Sequence, residues 1–228
     1  IVEGTHFLPG TPAREIGHRC LAVNLSDLAA MGAEPRWCTL SLTIPDADPN
    51  WVDAFADGFF ALAERYGVAL IGGDTVRGPL SATVTVHGLV ATGRAIRRGG
   101  ARAGDLIYVT GVPGLAAAGL RALRKSATGV AAEAVERFAY PEPRVAEGLA
   151  LRGLATAMID VSDGLAVDAT RMLSASALGA AFDLRRLPPD VVGADDALEL
   201  APTGGEVYRL CFGLPPERRA GLVRPSAA

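Results

Sequence analysis

The sequence predicts an α/β protein of mixed α and β content, built as two domains in succession. Segments rich in β-branched residues alternate with segments of helical period in both halves of the chain. A stretch dense in Gly and Arg, "GRAIRRGGARAG" at 93–104, separates the halves and has few large apolar residues. The 228 residues are 50% hydrophobic and only 21% charged, enough apolar material for a well-cored fold.

In the first half, "WCTLSLTI" (37–44), closed by Pro45, and "SATVTVHGLVATG" (81–93) read as half-buried strands. Between them Trp51, Phe55, Phe59, Leu62 and Tyr66 recur at steps of three and four, after Pro49-Asn50 and before Gly67. That pattern predicts an amphipathic helix with its own start and stop signals. The apolar run Val68 to Ile71 reads as a strand ending in "GGDT", with the glycines permitting a turn and close backbone approach.

After the break the order restarts, with a strand in "DLIYVTG", a helix in "LAAAGLRALRK" and another in "PRVAEGLALRGLA", where Pro143 suits a first turn. A strand in "ATAMIDV", a helix in "LAVDATRMLSAS" and a strand in "AAFDL" follow, and the remainder shows no evident closing element. The boundary is placed at 97/98, giving domains 1–97 and 98–228. "AVNLSDLAA" (22–30) and "MIDVSDGLA" (158–166) echo each other, which predicts one Ser-Asp loop ahead of a helix in each half.

A formal charge of −3 and scattered basic residues give no footprint for nucleic acid. No apolar run reaches the roughly 18 to 20 residues of a membrane span, so a soluble protein is expected. Cys20, Cys38 and Cys211 are odd in number and far apart, which fits buried thiols in a reducing cytoplasm. The chain opens on Ile1-Val2, like the middle of a strand, so an upstream segment is expected, and the C-terminus reads as incomplete too.

Helix capping explains one Ser or Asp at a strand-to-helix junction. It explains "DVSDG" less well, because Asp160, Ser162 and Asp163 supply three oxygens within four residues. Two close carboxylates raise each other's pKa unless a cation lies between them. Hard oxygen ligands suit Mg²⁺, which takes one or two protein carboxylates and borrows phosphate oxygens, so the pattern of Asp27, Asp74, Asp160 and Asp163 points towards phosphoryl transfer. "GLAAAGLR" from Gly114 lacks the Gly-Lys-Ser/Thr of a P-loop and reads as an ordinary helix, and no GxGxxG follows a strand. ATP phosphates would then need metal ions and basic groups such as Arg97 or Arg98. His6, with Glu3 three residues before it, could meet an anionic ligand. Neither a zinc site nor a Ser or Cys nucleophile is supported.

Taken in order, "VEGTHF", "AVNLSDLAAMGAEP", "YGVALIGGDT", "GRAIRRGGARAGDLIYVTG", "YPEPRV", "MIDVSDGLAVD" and "GGEVYRL" resemble the thiamine-monophosphate kinase family from Ile1 to about Leu214. The wider superfamily includes aminoimidazole ribonucleotide synthetase. The resemblance implies a two-domain fold in which the N-terminal α/β domain forms a β-barrel across a homodimer, beside a C-terminal α/β domain. It implies ATP and several Mg²⁺ ions between the domains, with Asp27, Asp74, Asp160 and Asp163 as metal ligands and Asp163 and Arg98 acting on the transferred group. Gly73, Asp74, Ser162 and Arg98 would meet ATP, and His6 and Glu206 would meet thiamine monophosphate. Val207 stands where the family usually has Asp. The other readings are a related ATP-dependent enzyme of the superfamily and a nucleotide-binding subunit without catalysis.

Overall fold

The computed structural model describes residues 1–125, 132–183, 204–206 and 208–222. Its N-terminal half is a three-stranded sheet covered by two helices: α1 (Ala13–Ala30), β1 (Glu34–Ile44), α2 (Pro49–Tyr66), β2 (Ala69–Arg77) and β3 (Ser81–Leu89). Strand order is β2-β1-β3, with β2 parallel and β3 antiparallel to β1. The predicted α2 forms with the expected ends: Asp48 accepts from the Asn50 N–H at 3.0 Å, and Gly67 closes the helix at φ 64°.

β2 departs from the expectation. The strand does not end at Ile71 but runs through Gly72, Gly73 and Asp74 to Arg77. Cys38 pairs with Leu70 and Thr39 with Gly72, so Ile71 is bulged out of the ladder. A Cβ on Gly73 would lie 1.8 Å from the Leu40 carbonyl oxygen, and φ there is 144°. The glycine answers a close approach of two strands rather than a turn.

The sequence reading missed α1 as a helix of 18 residues. Its buried Ile16, Cys20, Leu21, Leu25 and Leu28 lie against Phe55, Phe59 and Leu62 of α2 and against Cys38, Leu42 and Val84 of the sheet. The two helices touch backbone to backbone, since a Cβ on Gly17 would meet the Phe55 oxygen at 2.0 Å and one on Gly58 would meet the Arg14 oxygen at 1.9 Å.

The C-terminal half contains β4 (Leu106–Val109), α3 (Leu115–Lys125), α4 (Ala132–Ala139), α5 (Val145–Ala150), β5 (Ala157–Val161), α6 (Leu165–Ser174) and β6 (Arg209–Leu214). Its sheet has the order β4-β6-β5, with β6 central and antiparallel to both neighbours. β6 was not foreseen because all six of its residues are buried, which removes the alternation that marks a half-buried strand. α4 was missed as well. The expected strand at 180–184 does not form: Ala180 to Asp183 are exposed and irregular, and Leu184 lies outside the described residues, as does Val207.

A second core joins the halves. Ala29 and Ala30 at the end of α1 pack with Ile96, Val145, Met158, Leu210, Phe212 and Leu214. The Gly/Arg segment is tied to both sides, with Ile96 N–H donating to Met31 O at 3.0 Å and Met158 N–H to Arg97 O at 3.1 Å. Among the described residues no helix is long and apolar enough to cross a membrane.

The α1–α2 contact leaves no room for a methyl group. Gly17→Ala is expected to lower the unfolding free energy by about 2–3 kcal/mol, as overpacking does. Urea denaturation checks this, and the loss is expected although Ala is the better helix former at an interior position of α1.

Candidate functional site

The two Ser-Asp sequences that echo each other adopt different structures. Ser162 and Asp163 lie between β5 and α6, as predicted, whereas Ser26 and Asp27 lie inside the last two turns of α1. Helical burial of Leu25, Leu28 and Ala29 decides this, and no strand precedes them. The predicted pair of equivalent loops is therefore one loop facing one helix.

The two segments nevertheless meet at the domain seam. Ser26 Oγ donates to Asp160 Oδ2 at 3.0 Å, across 134 residues of sequence. Burial pushes the Asp160 carboxyl up to about 6, and the charge of Asp27 adds to the shift while the Ser26 hydrogen bond opposes it. Asp27 keeps contact with solvent. Crowding by surrounding protein raises its carboxyl too, and the Arg98 guanidinium draws it back down. Asp27 thus lies within electrostatic reach of Asp160 on one side and of Arg98 on the other, and Ser26 bonds Asp160 across the seam.

The loop after β5 is organised by a residue that the sequence reading overlooked. Buried Asp168 accepts from the backbone N–H groups of Ser162 and Asp163 at 2.9 Å each and of Gly164 at 3.3 Å. Neither Ser162 nor Asp163 caps α6, whose N-cap is Gly164 with no side-chain bond. The capping explanation for that stretch falls, because Asp168 does the work from the first turn of the helix. A carboxylate in a first turn is a recognised start signal, so Asp168 could have been found. Freed from capping, Asp163 is exposed and accepts from Arg171 at 2.5 Å, and Arg171 also donates to Asp168 at 2.7 Å.

Glu206, just before β6, bonds to this loop. Its N–H donates to Ser162 O at 2.7 Å, and its carboxylate accepts from Tyr208 Oη at 2.9 Å and pairs with buried Arg19 of α1. Glu206 and Tyr208 hold φ of 65° and 45°, a left-handed backbone unusual for such residues and secured by these bonds. Arg19 also donates to Phe138 O and stacks 4.4 Å from the Phe138 ring, so the Glu206 contact ties α1, α4 and the loop together.

The remaining predicted residues, His6 and Asp74 beside Gly73, belong to the N-terminal half. Asp74 is exposed in β2 and accepts from the Thr75 N–H at 2.8 Å, one residue after Gly73. His6 Nδ1 accepts from the Val2 N–H at 3.1 Å, which places the ring proton of the neutral imidazole on Nε2, free to donate outward. Among the described residues no three His, Cys, Asp or Glu side chains lie close enough to hold a metal ion by themselves. The seam fits a cation of a narrower kind: two carboxylates that repel each other, in a hard oxygen environment, suit a Mg²⁺ ion whose other ligands are water and phosphate.

The burial of Asp160 has a measurable consequence. A folded-state pKa raised from 3.8 to about 6 means that the folded chain holds the proton more tightly than the unfolded one. Stability is unaffected below the unfolded value, falls as pH rises from about 4 to about 6, and stays lower by about 3 kcal/mol above that range. In buffer free of divalent cations, Asp160→Asn is expected to flatten that part of the profile and to exceed the parent in stability at neutral pH. Urea titrations at several pH values would show parallel profiles if the shift is absent.

Comparison with known proteins agrees with this architecture. The profile for the AIR synthase related protein N-terminal domain matches residues 1–90, and that for its C-terminal domain matches residues 102–222. Thiamine-monophosphate kinase of Salmonella typhimurium is 48% identical over 231 residues, covering 97% of this chain and 71% of that protein. The crystal structure of thiamine-monophosphate kinase from Stenotrophomonas maltophilia superimposes with a TM-score of 0.92 at 45% identity, over 96% of this chain and 74% of that one. A structure of AaThiL complexed with AMPPCP and TMP gives 0.81 at 30% identity, over 94% and 73%. With this identity along nearly all of its length, the chain belongs to the thiamine-monophosphate kinase family.

Proposed function

We propose that this chain transfers the γ-phosphoryl group of ATP directly onto the phosphate of thiamine monophosphate, yielding thiamine diphosphate and ADP in thiamine diphosphate biosynthesis. The observation that carries the reading is the Ser26–Asp160 hydrogen bond across the seam of the two halves, with Asp27 next to Ser26 on α1, in a chain whose relatives are thiamine-monophosphate kinases. Of these relatives, AaThiL has been seen with AMPPCP and TMP together.

The acceptor in this reaction is already an anionic oxygen, so no strong base is needed. The difficulty is to bring two phosphates together and in line. In this reading Asp27 and Asp160 hold Mg²⁺, with Asp74 and Asp163 as further ligands, and both of these carboxylates are solvent-exposed. Bound there, Mg²⁺ supplies charge neutralisation on the phosphate oxygens. Arg98 adds a fixed positive charge beside Asp27, suited to the γ-phosphoryl group. Gly73 and Ser162 border the nucleotide, and Asp168 keeps the Ser162 loop in shape. The Nε2–H of His6 and the carboxylate of Glu206 are assigned to thiamine monophosphate. Residues 1–97 then form the nucleotide, metal and dimerisation domain and 98–228 the C-terminal domain.

A homodimer belongs to the same reading. Every residue of β2 is exposed, and Trp37, Leu70, Ile71, Val76 and Leu89 leave apolar surface on this sheet. An open strand edge of that composition calls for a cover, and a second copy closing a barrel supplies one. The free buried thiols Cys20, Cys38 and Cys211 fit a reducing cytoplasm.

Full-length protein given ATP, Mg²⁺ and thiamine monophosphate is expected to form ADP and thiamine diphosphate in equal amounts, and absence of both products sinks the proposal. Asp163→Asn should lose about two orders of magnitude in kcat, the scale of one charge-stabilising contact, and a near-normal rate removes Asp163 from the machinery. Sedimentation should give twice the monomer mass, with Ile71→Asp shifting the protein towards monomer.

A further inference from the structure

The start of α3, which the sequence reading set aside as an ordinary helix, faces a buried cation. Arg209 of β6 is only 8% exposed, and among the described residues its buried Nε has no hydrogen-bond partner. Strand alternation points it away from the seam, where its neighbour Leu210 packs. Gly111, at φ 65°, makes room for it, since a Cβ there would sit 3.0 Å from Arg209 Nε. Thr110 fixes this loop to β6, its N–H donating to Leu210 O and its hydroxyl accepting from Leu210 N–H, each at 2.9 Å.

Arg209 borders a small cavity with Val112, Leu115, Ala116, Arg137 and Glu142. Leu115 and Ala116 belong to the first turn of the 11-residue α3, where N–H groups lack helical partners and the helix dipole is positive. Glu142 does not neutralise Arg209. It is engaged by Arg65 at 2.5 Å and Arg137 at 3.4 Å. Although burial favours its protonated form, those arginines and Arg144 hold its carboxyl below the usual range. The lining therefore carries two guanidinium groups against one carboxylate.

A buried guanidinium with an unused donor is costly, and an apolar residue would fill the same place more cheaply. The cost is offset when an anion meets Arg209 and the open end of α3 together. We propose that Arg209 and the first turn of α3 form a binding site for a small oxyanion of carboxylate or phosphate type, outside the Asp27–Asp160 seam. The cavity volume, about 10 Å³, is close to that of a single water site. It admits one oxygen at depth, with the rest of the ligand projecting to solvent.

The test is NMR of the whole chain labelled with ¹⁵N, following the Arg209 Nε–H resonance, identified by its loss in Arg209→Lys, and the amides of Leu115 and Ala116. Titration with inorganic phosphate, with acetate and with matched sodium chloride separates the sources. Saturable shifts with either oxyanion support the site and name its ligand class, and shifts with both leave it selective for oxyanions in general. Arg209→Leu should weaken the Leu115 response about tenfold or more, the effect of one charge-assisted hydrogen bond. Should that variant fail to fold, Arg209→Gln, which keeps a polar chain but loses the charge, gives the same comparison. Arg98→Ala should leave the response in place. The proposal is overturned if neither oxyanion moves these resonances beyond sodium chloride, if Arg209→Leu responds like the parent, or if Arg98→Ala abolishes the response. None of these readings depends on kinase turnover.

Discussion

Both domains share one helix. α1 fills the N-terminal core with Ile16, Leu21 and Leu25, then enters the second core with Ala29 and Ala30. Small residues allow this double use: Gly17 lets α2 touch the α1 backbone, and Gly148 of α5 does the same at the other end, where a Cβ would lie 2.1 Å from the Ala29 oxygen. Because a packed interior resists small displacements, α1 sets the position of one domain against the other. Ser26, Asp27 and Arg19 ride on it, so the same packing that joins the domains also presents those side chains to Asp160 and Glu206.

The electrostatics of the seam follow from that geometry. Asp160 ends up behind Ser26 with a second carboxylate nearby, an arrangement that opposes its own ionisation. A fold seeking stability alone would place an amide there. A cation beside Asp160 would relieve that penalty, and the Arg98 charge fills that role only on the Asp27 side. Asp168 shows the opposite case. It is fully buried, yet three backbone N–H groups and Arg171 meet it, so its charge serves to hold a loop. Two aspartates eight residues apart thus have distinct roles through surroundings alone.

The catalytic vocabulary of this chain was readable from its residues. The aspartates, the absence of a P-loop and the Gly/Arg break between the halves already pointed to metal-assisted phosphoryl transfer in two domains, and α2 announced both of its ends. These features are local: spacing, capping and residue type act within a few positions. The misreadings were of another kind. β6 and α1 are buried on nearly all sides, which erases the polar alternation that distinguishes strand from helix. Gly72-Gly73-Asp74 left a turn and a close backbone approach both open, because the two ask for the same glycines, and the pairing of β1 with β2 selects the close approach.

Sequence by itself therefore determined which chemical groups are present, the family, and the order of most elements, since these depend on short-range patterns. Tertiary structure decided that Ser26 lies on a helix and Ser162 in a loop, and that Ser26 bonds Asp160 across the seam beside Asp27. It also placed Arg209, whose Nε has no partner among the described residues, at the head of α3. The Asp168 bonds are short-range, but the Ser26–Asp160 bond and the surroundings of Arg209 join groups far apart in the chain, and their energies depend on burial and on neighbouring charges that no short stretch contains.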